Sequence, residues 1–181
     1  MPTAISFQSV TGLLNVDYLA VTSSCTSLEK LFYNCNRLEN INTFGWDVSN
    51  TSTLEYSFAN VIPQKLDLTS WNFRKNGVSF AHMFEGASSK YILLPTTPIK
   101  VTGFFGAFAY NGNLSELDLS MLDVSSCPNI SNAFNSCTGL MELDLSSFIL
   151  PSSASSSIQV FDGWTSDQIV YVHDTNWTID T

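Results

Sequence analysis

The sequence predicts a leucine-rich-repeat solenoid of the α/β class, built from about seven coils of 25–26 residues stacked in a right-handed spiral around a parallel sheet. Two observations predict it. A phenylalanine recurs at steps of 24 to 27 residues, and an apolar pair spaced by two residues follows about nine residues after each one. Such a unit cannot bury its own apolar side and must stack on its neighbours. The aromatic ladder comprises Phe7, Phe32, Phe58, Phe84, Phe108, Phe134 and Phe161.

Each apolar pair predicts one strand of the sheet. In the clearest unit, a strand centred on Asp118 directs Leu117 and Leu119 to one face and the carboxylate to the other, because successive side chains of a strand alternate. The same register gives the pairs Val16 and Tyr18, Leu66 and Leu68, Ile92 and Leu94, Leu143 and Leu145, and Ile169 and Tyr171, with Ile41 and Thr43 as the imperfect member. A third ladder, at the turn leaving each strand, comprises Trp46, Trp71, Leu122 and Phe148.

The segments between strands predict short helices or 3₁₀ turns. In residues 26–35, 53–61, 78–87 and 129–137, apolar residues stand four apart, as Leu28 and Phe32 do, and this spacing is helical. Thr26, Thr53 and Asn129 precede the segments as plausible N-caps. Each coil is therefore expected to be a strand, a turn and a short helix.

The whole chain, residues 1–181, is predicted to be one solenoid domain. Residues 1–24 form an N-terminal cap coil, 25–148 the repeats, and 149–181 a C-terminal cap coil in which Trp164 and Trp177 cover the last open face. Two departures from the repeat are expected to distort it. Pro95 and Pro98 predict a kink after the fourth strand, since proline cannot continue a ladder, and the serine-rich residues 146–160 lengthen one connection.

Composition restricts the possible partners. The formal net charge is -9 and the chain has only seven lysines and arginines, so no basic stripe exists to bind the phosphates of a nucleic acid. Polar residues interrupt every apolar run before it could span a bilayer, and the start lacks the basic region of a secretory signal. We therefore expect no direct nucleic-acid binding and no membrane insertion.

No pattern of catalytic or metal-binding residues is found. Serine is abundant without a nucleophile-elbow setting, no glycine-rich phosphate loop occurs, and His82 and His173 stand apart from the cysteines. The sequence predicts neither an enzyme nor a cofactor. The cysteines form two equivalent pairs ten residues apart, Cys25 with Cys35 and Cys127 with Cys137, which fit buried thiols better than disulfides, although disulfides stay open.

Two sets of residues are candidates for binding. Asp17, Asp67, Asp118 and Asp144 occupy the outward-facing middle of four strands. They could dock a basic surface or hold a hard cation between adjacent oxygens, or could simply solvate that face. Asp47, Asn72 and Asp123 follow the strands and are expected to make local Asx turns instead. Tyr33, Tyr56, Tyr91, Tyr110 and Trp164 lie off the buried register, so they could contact a protein or a sugar, or lie partly under loops.

Text such as LFYNCNRLENI, SFAN and NISNAFNSCTGLMELDLSSF resembles the BspA-like leucine-rich repeats over residues 25 to 148. The resemblance implies a surface-exposed binding module of the adhesin type and brings no catalytic residues.

The sequence therefore favours a non-catalytic recognition module that displays a rigid acidic and aromatic surface. Its expected role is attachment to a protein or glycan of a host cell surface, as part of a phage tail or a surface adhesin, with a virion or cell-surface location. The alternative is a phage-encoded acidic inhibitor that acts in the host cytoplasm. It would bind a host defence protein and block the basic nucleic-acid site of a nuclease, with net charge -9 as the attraction.

Overall fold

The structure, a computed structural model that describes residues 3–151 and 159–172, is a parallel β-solenoid of about six turns. Its strands are short, and neighbours in the stack come from successive coils, which confirms the predicted solenoid and its parallel sheet. The strands are β1 Asn15–Val16, β2 Asn40–Ile41, β3 Lys65–Asp67, β4 Val78–Ser79, β5 Tyr91–Leu93, β6 Ile99–Gly103, β7 Leu122–Asp123, β8 Glu142–Leu145 and β9 Ile169–Val172.

The strands form two rows. One row, called here the sheet face, pairs β1 with β2, β3 with β5 and β8 with β9, and Tyr91 bridges to Glu116 between them. The second row joins β4, β6 and β7, and is extended by isolated bridges from Ala4 to Ser27, Ser27 to Thr53 and Thr53 to Ser79. The remaining side of each coil consists of turns and is called the turn face.

The predicted phenylalanine ladder forms one continuous column. Each ring contacts the next, with centroids 5.1 Å apart between Phe84 and Phe108 and 6.0 Å apart between Phe58 and Phe84. The column begins at Phe7, which stacks on Phe32, and ends at Phe161 against Trp164. The third ladder is buried as well, and Trp46 stacks on Trp71 at 5.6 Å. The core predicted from spacing is therefore confirmed.

The predicted short helices are absent from the described residues, which contain only strands, turns and bends. The N–H groups of these segments alternate between two partners. The Phe58 N–H donates to Met83 C=O in the next coil at 3.0 Å, whereas the Ser57 N–H donates back to Leu54 C=O at 3.0 Å. Every second N–H thus donates to a carbonyl of the neighbouring coil. In an α-helix the same N–H would donate within the helix, so the bond between coils could not form.

Left-handed residues explain why the spacing looks helical. Two residues four apart have positive φ in each turn segment, in the pairs Lys30 and Asn34, Tyr56 and Asn60, His82 and Gly86, Gly106 and Tyr110, Asn132 and Ser136, and Gln159 and Gly163. Tandem tight turns that each contain a left-handed residue repeat every four residues, close to the helical period. The α/β assignment is thereby corrected to an all-β solenoid.

The predicted caps act on turns rather than helices. Thr53 Oγ1 accepts from the Glu55 N–H at 3.2 Å and Asn129 Oδ1 from the Ser131 N–H at 2.8 Å, each two residues on. Thr26 instead donates from its hydroxyl to Thr3 C=O. After β5, Leu94 to Pro98 lie outside any strand, as the prolines predicted, and β6 then begins in the second row.

Two apolar assignments fail at the ends of the stack. Tyr18, predicted to point inward, is 98% exposed, and the neighbouring Leu19 packs against the core instead. In β9 the register is shifted by one residue, because Leu143 pairs with Val170 rather than Ile169. Ile169 and Tyr171 are consequently exposed, since a slip of one residue reverses every side chain of a strand. Trp177, the second predicted capping residue, lies outside the described residues.

All four cysteines are free, buried thiols, as the sequence favoured. Each donates to a backbone carbonyl, for example Cys35 Sγ to Phe7 C=O at 3.1 Å and Cys137 Sγ to Phe108 C=O at 2.9 Å, one coil earlier. Burial raises the pKa of Cys127 and of Cys137 to about 12, because a thiolate would lose its hydration.

We expect the native protein to resist alkylation. At pH 8 the thiols of Cys127 and Cys137 stay protonated and buried, and the thiolate is the reactive form, so iodoacetamide should label neither until the chain unfolds. Intact-mass spectrometry with and without guanidinium measures this directly. Four labels on the unfolded, unreduced chain are expected, and two missing labels there would instead indicate a disulfide.

Candidate functional site

Four aromatic side chains form a second column on the turn face, outside the core. This aromatic strip consists of Tyr33, Tyr56, His82 and Phe105, one from each of four successive coils. Tyr56 and His82 are parallel within 6° at a centroid distance of 4.4 Å. Tyr33 packs edge-on against Tyr56 at 5.4 Å, and Phe105 packs edge-on against His82 at 5.0 Å. All four side chains are half-buried.

The tandem turns position the two central rings. Tyr56 and His82 have φ of 56° and 53° at equivalent places, two residues before successive phenylalanines of the core column. Their Cα–Cβ bonds therefore leave the turn in the same direction, one coil apart. In the next coil that place belongs to Gly106, where a Cβ would lie 2.8 Å from His82 Nδ1. Glycine at this position leaves room for the imidazole ring.

Carboxylates flank the strip. His82 Nδ1 donates to Glu85 Oε2, and Ser79 Oγ donates to Glu55 Oε1 at 2.9 Å. The pKa of Tyr56 is raised, first by burial and then by the negative charge of Glu85, with Tyr33 and Glu55 adding to it. The Tyr56 hydroxyl therefore stays protonated at neutral pH and can donate a hydrogen bond to a ligand.

Sequence reasoning found half of this strip. Tyr33 and Tyr56 were predicted and lie together. Tyr91 is on the sheet face, with Lys90 Nζ 5.2 Å from its ring centroid. Tyr110 is 58% exposed on the turn face, in the same coil as Phe105 but outside the strip. His82 and Phe105 were missed as binding residues. The signal for His82 was its alignment with Tyr56, since both stand two residues before a ladder phenylalanine.

Three of the four predicted aspartates make local bonds on the sheet face. Asp67 Oδ1 accepts from the Thr69 N–H at 3.1 Å, and Asp118 and Asp144 accept from the Ser120 and Ser146 N–H groups at 2.9 and 2.8 Å. Asp67 also pairs with Lys65 at 2.8 Å. Asp17 is exposed. Asp47 and Asp123, expected to make Asx turns, accept from Ser49 and Ser125 in the same way.

These bonds keep the aspartates charged. Hydrogen bonds from Ser146 lower the pKa of Asp144, and those from Ser120 lower the pKa of Asp118 despite the opposing charge of Asp144. Both carboxylates are therefore ionised at neutral pH. Each uses Oδ1 for its turn, and the remaining oxygen can meet a partner on the sheet face.

Within residues 3–151 and 159–172, no three side chains of His, Cys, Asp or Glu converge to hold a metal ion. In the same part of the chain no helix is long and apolar enough to cross a bilayer. His173, weighed above as a candidate for chemistry, lies outside the described residues. The arrangement of both faces suits binding, through rings, hydroxyls and carboxylates held in fixed positions.

Comparisons with known proteins give one family. No curated protein and no solved structure matches the chain. Residues 7–92, which contain Tyr33, Tyr56 and His82 of the aromatic strip, match the family described as "Mycoplasma protein of unknown function, DUF285".

Proposed function

We propose that this protein is a non-catalytic recognition module that binds a macromolecule of a cell surface through the aromatic strip. The observation that supports the proposal is the continuous contact from Tyr33 through Tyr56 and His82 to Phe105, with two glutamates beside it. Aromatic side chains with a polar tip are enriched where proteins bind other molecules, because one end packs and the other hydrogen-bonds.

The strip is ordered before any ligand arrives. Each ring rests on the next, and the backbone beneath is joined to the neighbouring coil by bonds such as Tyr56 N–H to Ala81 C=O at 3.3 Å and His82 N–H to Phe105 C=O at 2.8 Å. Binding therefore costs little side-chain entropy, which is the advantage of a preorganised site. Successive rings are about one coil apart, so the strip suits an extended, repeating ligand such as a glycan chain or a peptide strand.

The resemblance to BspA-like repeats supports a surface role of the adhesin type. Adhesion would use the strip as a passive contact, since the described residues show no group poised for chemistry there except the His82–Glu85 pair. We assign that pair a positioning role: the carboxylate holds the imidazole parallel to Tyr56 and keeps its Nδ1 proton in place.

We expect the double variant Tyr56→Ala, His82→Ala to lose binding to surface ligands by about tenfold or more, since two ring contacts of roughly 1 kcal/mol each are removed. The measurement uses an array of bacterial and animal cell-surface glycans, followed by titration of the best glycan and of whole cells. Tyr110→Ala is the matched control, because Tyr110 is an exposed aromatic of the same face outside the strip.

Folding is checked separately by thermal unfolding of both variants. A wild-type protein that binds a glycan or a cell equally well with and without Tyr56 and His82 would place the site elsewhere. A wild type that binds none of these probes would remove the proposed function itself. The variant Tyr56→Phe keeps the ring and removes the hydroxyl, so it measures the contribution of the ring alone. We expect this variant to retain most of the binding.

A further inference from the structure

We propose that a groove on the sheet face, between Glu116, Glu142 and Asp144, docks a short, extended, basic segment of a partner protein. This C-terminal groove is separate from the aromatic strip, and the inference does not depend on the proposed function. Its lining residues are Ser115, Glu116, Leu117, Met141, Glu142, Asp144 and Tyr171.

The charge of the chain is divided unevenly along the solenoid. All seven lysines and arginines lie within residues 1–100, which also contain seven aspartates and glutamates. Residues 101–181 contain nine aspartates and glutamates and no lysine or arginine. The entire net charge of -9 therefore belongs to the half that forms the groove, and a one-signed surface of this kind attracts partners of opposite charge.

The groove combines this charge with exposed apolar side chains. It crosses three successive coils, contributed by residues 115–117, by β8 and by β9, where Asp144 pairs with Tyr171. Met141 and Tyr171 are 53% and 49% exposed, which is high for large apolar side chains. Glu116 and Glu142 flank them, and among the lining residues no cation offsets either carboxylate.

At the groove, the carboxylates of Asp118 and Asp144 repel each other. Asp118 lies beside it, and the charge of Asp144 acts to raise the pKa of Asp118 against the hydrogen bonds from Ser120. On the sheet face of an earlier coil a carboxylate is paired instead, since Lys65 Nζ lies 2.8 Å from Asp67 Oδ2. A cationic ligand would therefore relieve this repulsion at the groove.

The dimensions favour a short peptide. Three strands of a sheet span about 10 Å, which is the length of roughly three residues of an extended chain. Side chains of an extended segment alternate, so two basic residues could reach the glutamates while the residue between them packs on Met141 and Tyr171. The recognised chemistry is thus a lysine or arginine on each side of an apolar residue.

The stretch that follows β9 does not supply such a segment. Residues 173–181, which follow β9, contain Asp174 and Asp180 and neither lysine nor arginine. A second copy would present either an equally acidic half or a half whose charges balance. Charge complementarity to the groove assigns the occupant as a different protein with an exposed basic segment.

The test uses the full chain and three probes: the peptide acetyl-Lys-Leu-Arg-Leu-Lys-amide, the same peptide with serine for leucine, and spermine. Isothermal titration at low and high salt compares the wild type with Glu116→Gln, Glu142→Gln, Asp144→Asn. Asparagine at 144 keeps the acceptor for the Ser146 N–H and removes only charge. The control, Glu29→Gln, Glu39→Gln, Asp47→Asn, removes equal charge from the balanced half.

We expect the leucine peptide to bind about tenfold more weakly to the groove variant and less than about twofold more weakly to the control, with binding weakened by salt. The serine peptide should bind more weakly than the leucine peptide. If both variants lose equal affinity for the leucine peptide, or if spermine binds as tightly as that peptide, the binding is unspecific attraction between opposite charges. Either result would overturn the proposal. Absence of peptide binding to the wild type would overturn it as well.

Discussion

Replacing Phe108 by alanine is expected to lower the free energy of unfolding by about 3 to 5 kcal/mol, the usual cost of removing a large buried aromatic side chain. Phe108 is fully buried and stands in the middle of the column, stacked on Phe84 at 5.1 Å and on Phe134 at 5.8 Å. The change therefore removes two stacking contacts and leaves a cavity between two coils. The strands hold these coils in place, so the coils cannot close the cavity.

The effect should exceed that of a change at an end of the column. Phe7 has a column neighbour, Phe32, on one side only and is partly buried, so Phe7→Ala opens a site that water and neighbouring chain can reach. In a solenoid, each coil is stabilised by its two interfaces, and loss of a central rung weakens both. Urea unfolding followed by circular dichroism measures the difference between the two variants.

Phe44→Ala is the matched control for Phe108→Ala. Phe44 is 82% exposed, so its removal should change the free energy of unfolding by no more than about 0.5 kcal/mol. Equal losses of unfolding free energy for Phe44→Ala and Phe108→Ala would show that the phenylalanine column does not stabilise the core. A loss at Phe108 well below 2 kcal/mol would indicate that the coils collapse around the cavity.

The column could be predicted because burial in a solenoid depends on one periodic requirement. Each coil must supply an apolar side chain at the same place, so Phe58 and Phe84 are visible in sequence as one register, as are the buried Leu66 and Leu143. The end coils escape this requirement, since one side has no neighbour to satisfy. In the end coils the predicted burial of Tyr18 and Ile169 is wrong, and both side chains are exposed.

The turns could not be predicted from spacing alone. Leu28 and Phe32 stand four apart in a helix and equally in tandem tight turns. The distinguishing feature is backbone conformation: Lys30, Tyr56 and His82 have positive φ, which long or aromatic side chains seldom adopt. Their hydrogen bonds to the next coil offset this strain, and such bonds connect residues about 25 positions apart, beyond the reach of local sequence rules.

Local spacing also identifies only part of the aromatic strip. Tyr33 and Tyr56 were found because they fall outside the core register. His82 stands between the buried Phe80 and Phe84, a pattern that favours an inward-facing segment, yet in a tight turn a residue between two buried ones faces outward. Phe105 precedes Gly106, and the equivalent places in the two preceding coils hold Glu55 and Ala81, so only its edge contact with His82 identifies it.

Gly139→Ala is expected to destabilise the protein by about 3 kcal/mol, because a Cβ there would lie 2.6 Å from both Gly112 C=O and Leu114 C=O. These obstacles are backbone atoms of the preceding coil and cannot rotate away. The two coils would have to separate, and the loss would spread to the core beside them.

Two other glycines isolate this cause. Gly45 has φ of 80° with nothing near its missing Cβ, so Gly45→Ala should cost only the left-handed strain, about 1 kcal/mol. Gly12 has open space and no positive φ, so Gly12→Ala should be neutral or stabilise by up to about 1 kcal/mol through the unfolded chain. Thermal unfolding should give the lowest Tm for Gly139→Ala, a clearly higher Tm for Gly45→Ala and the highest Tm for Gly12→Ala. The opposite order for Gly139 and Gly45 would mean that coil spacing yields more easily than turn conformation, and that the rigidity on which both proposed binding surfaces depend resides in the turns.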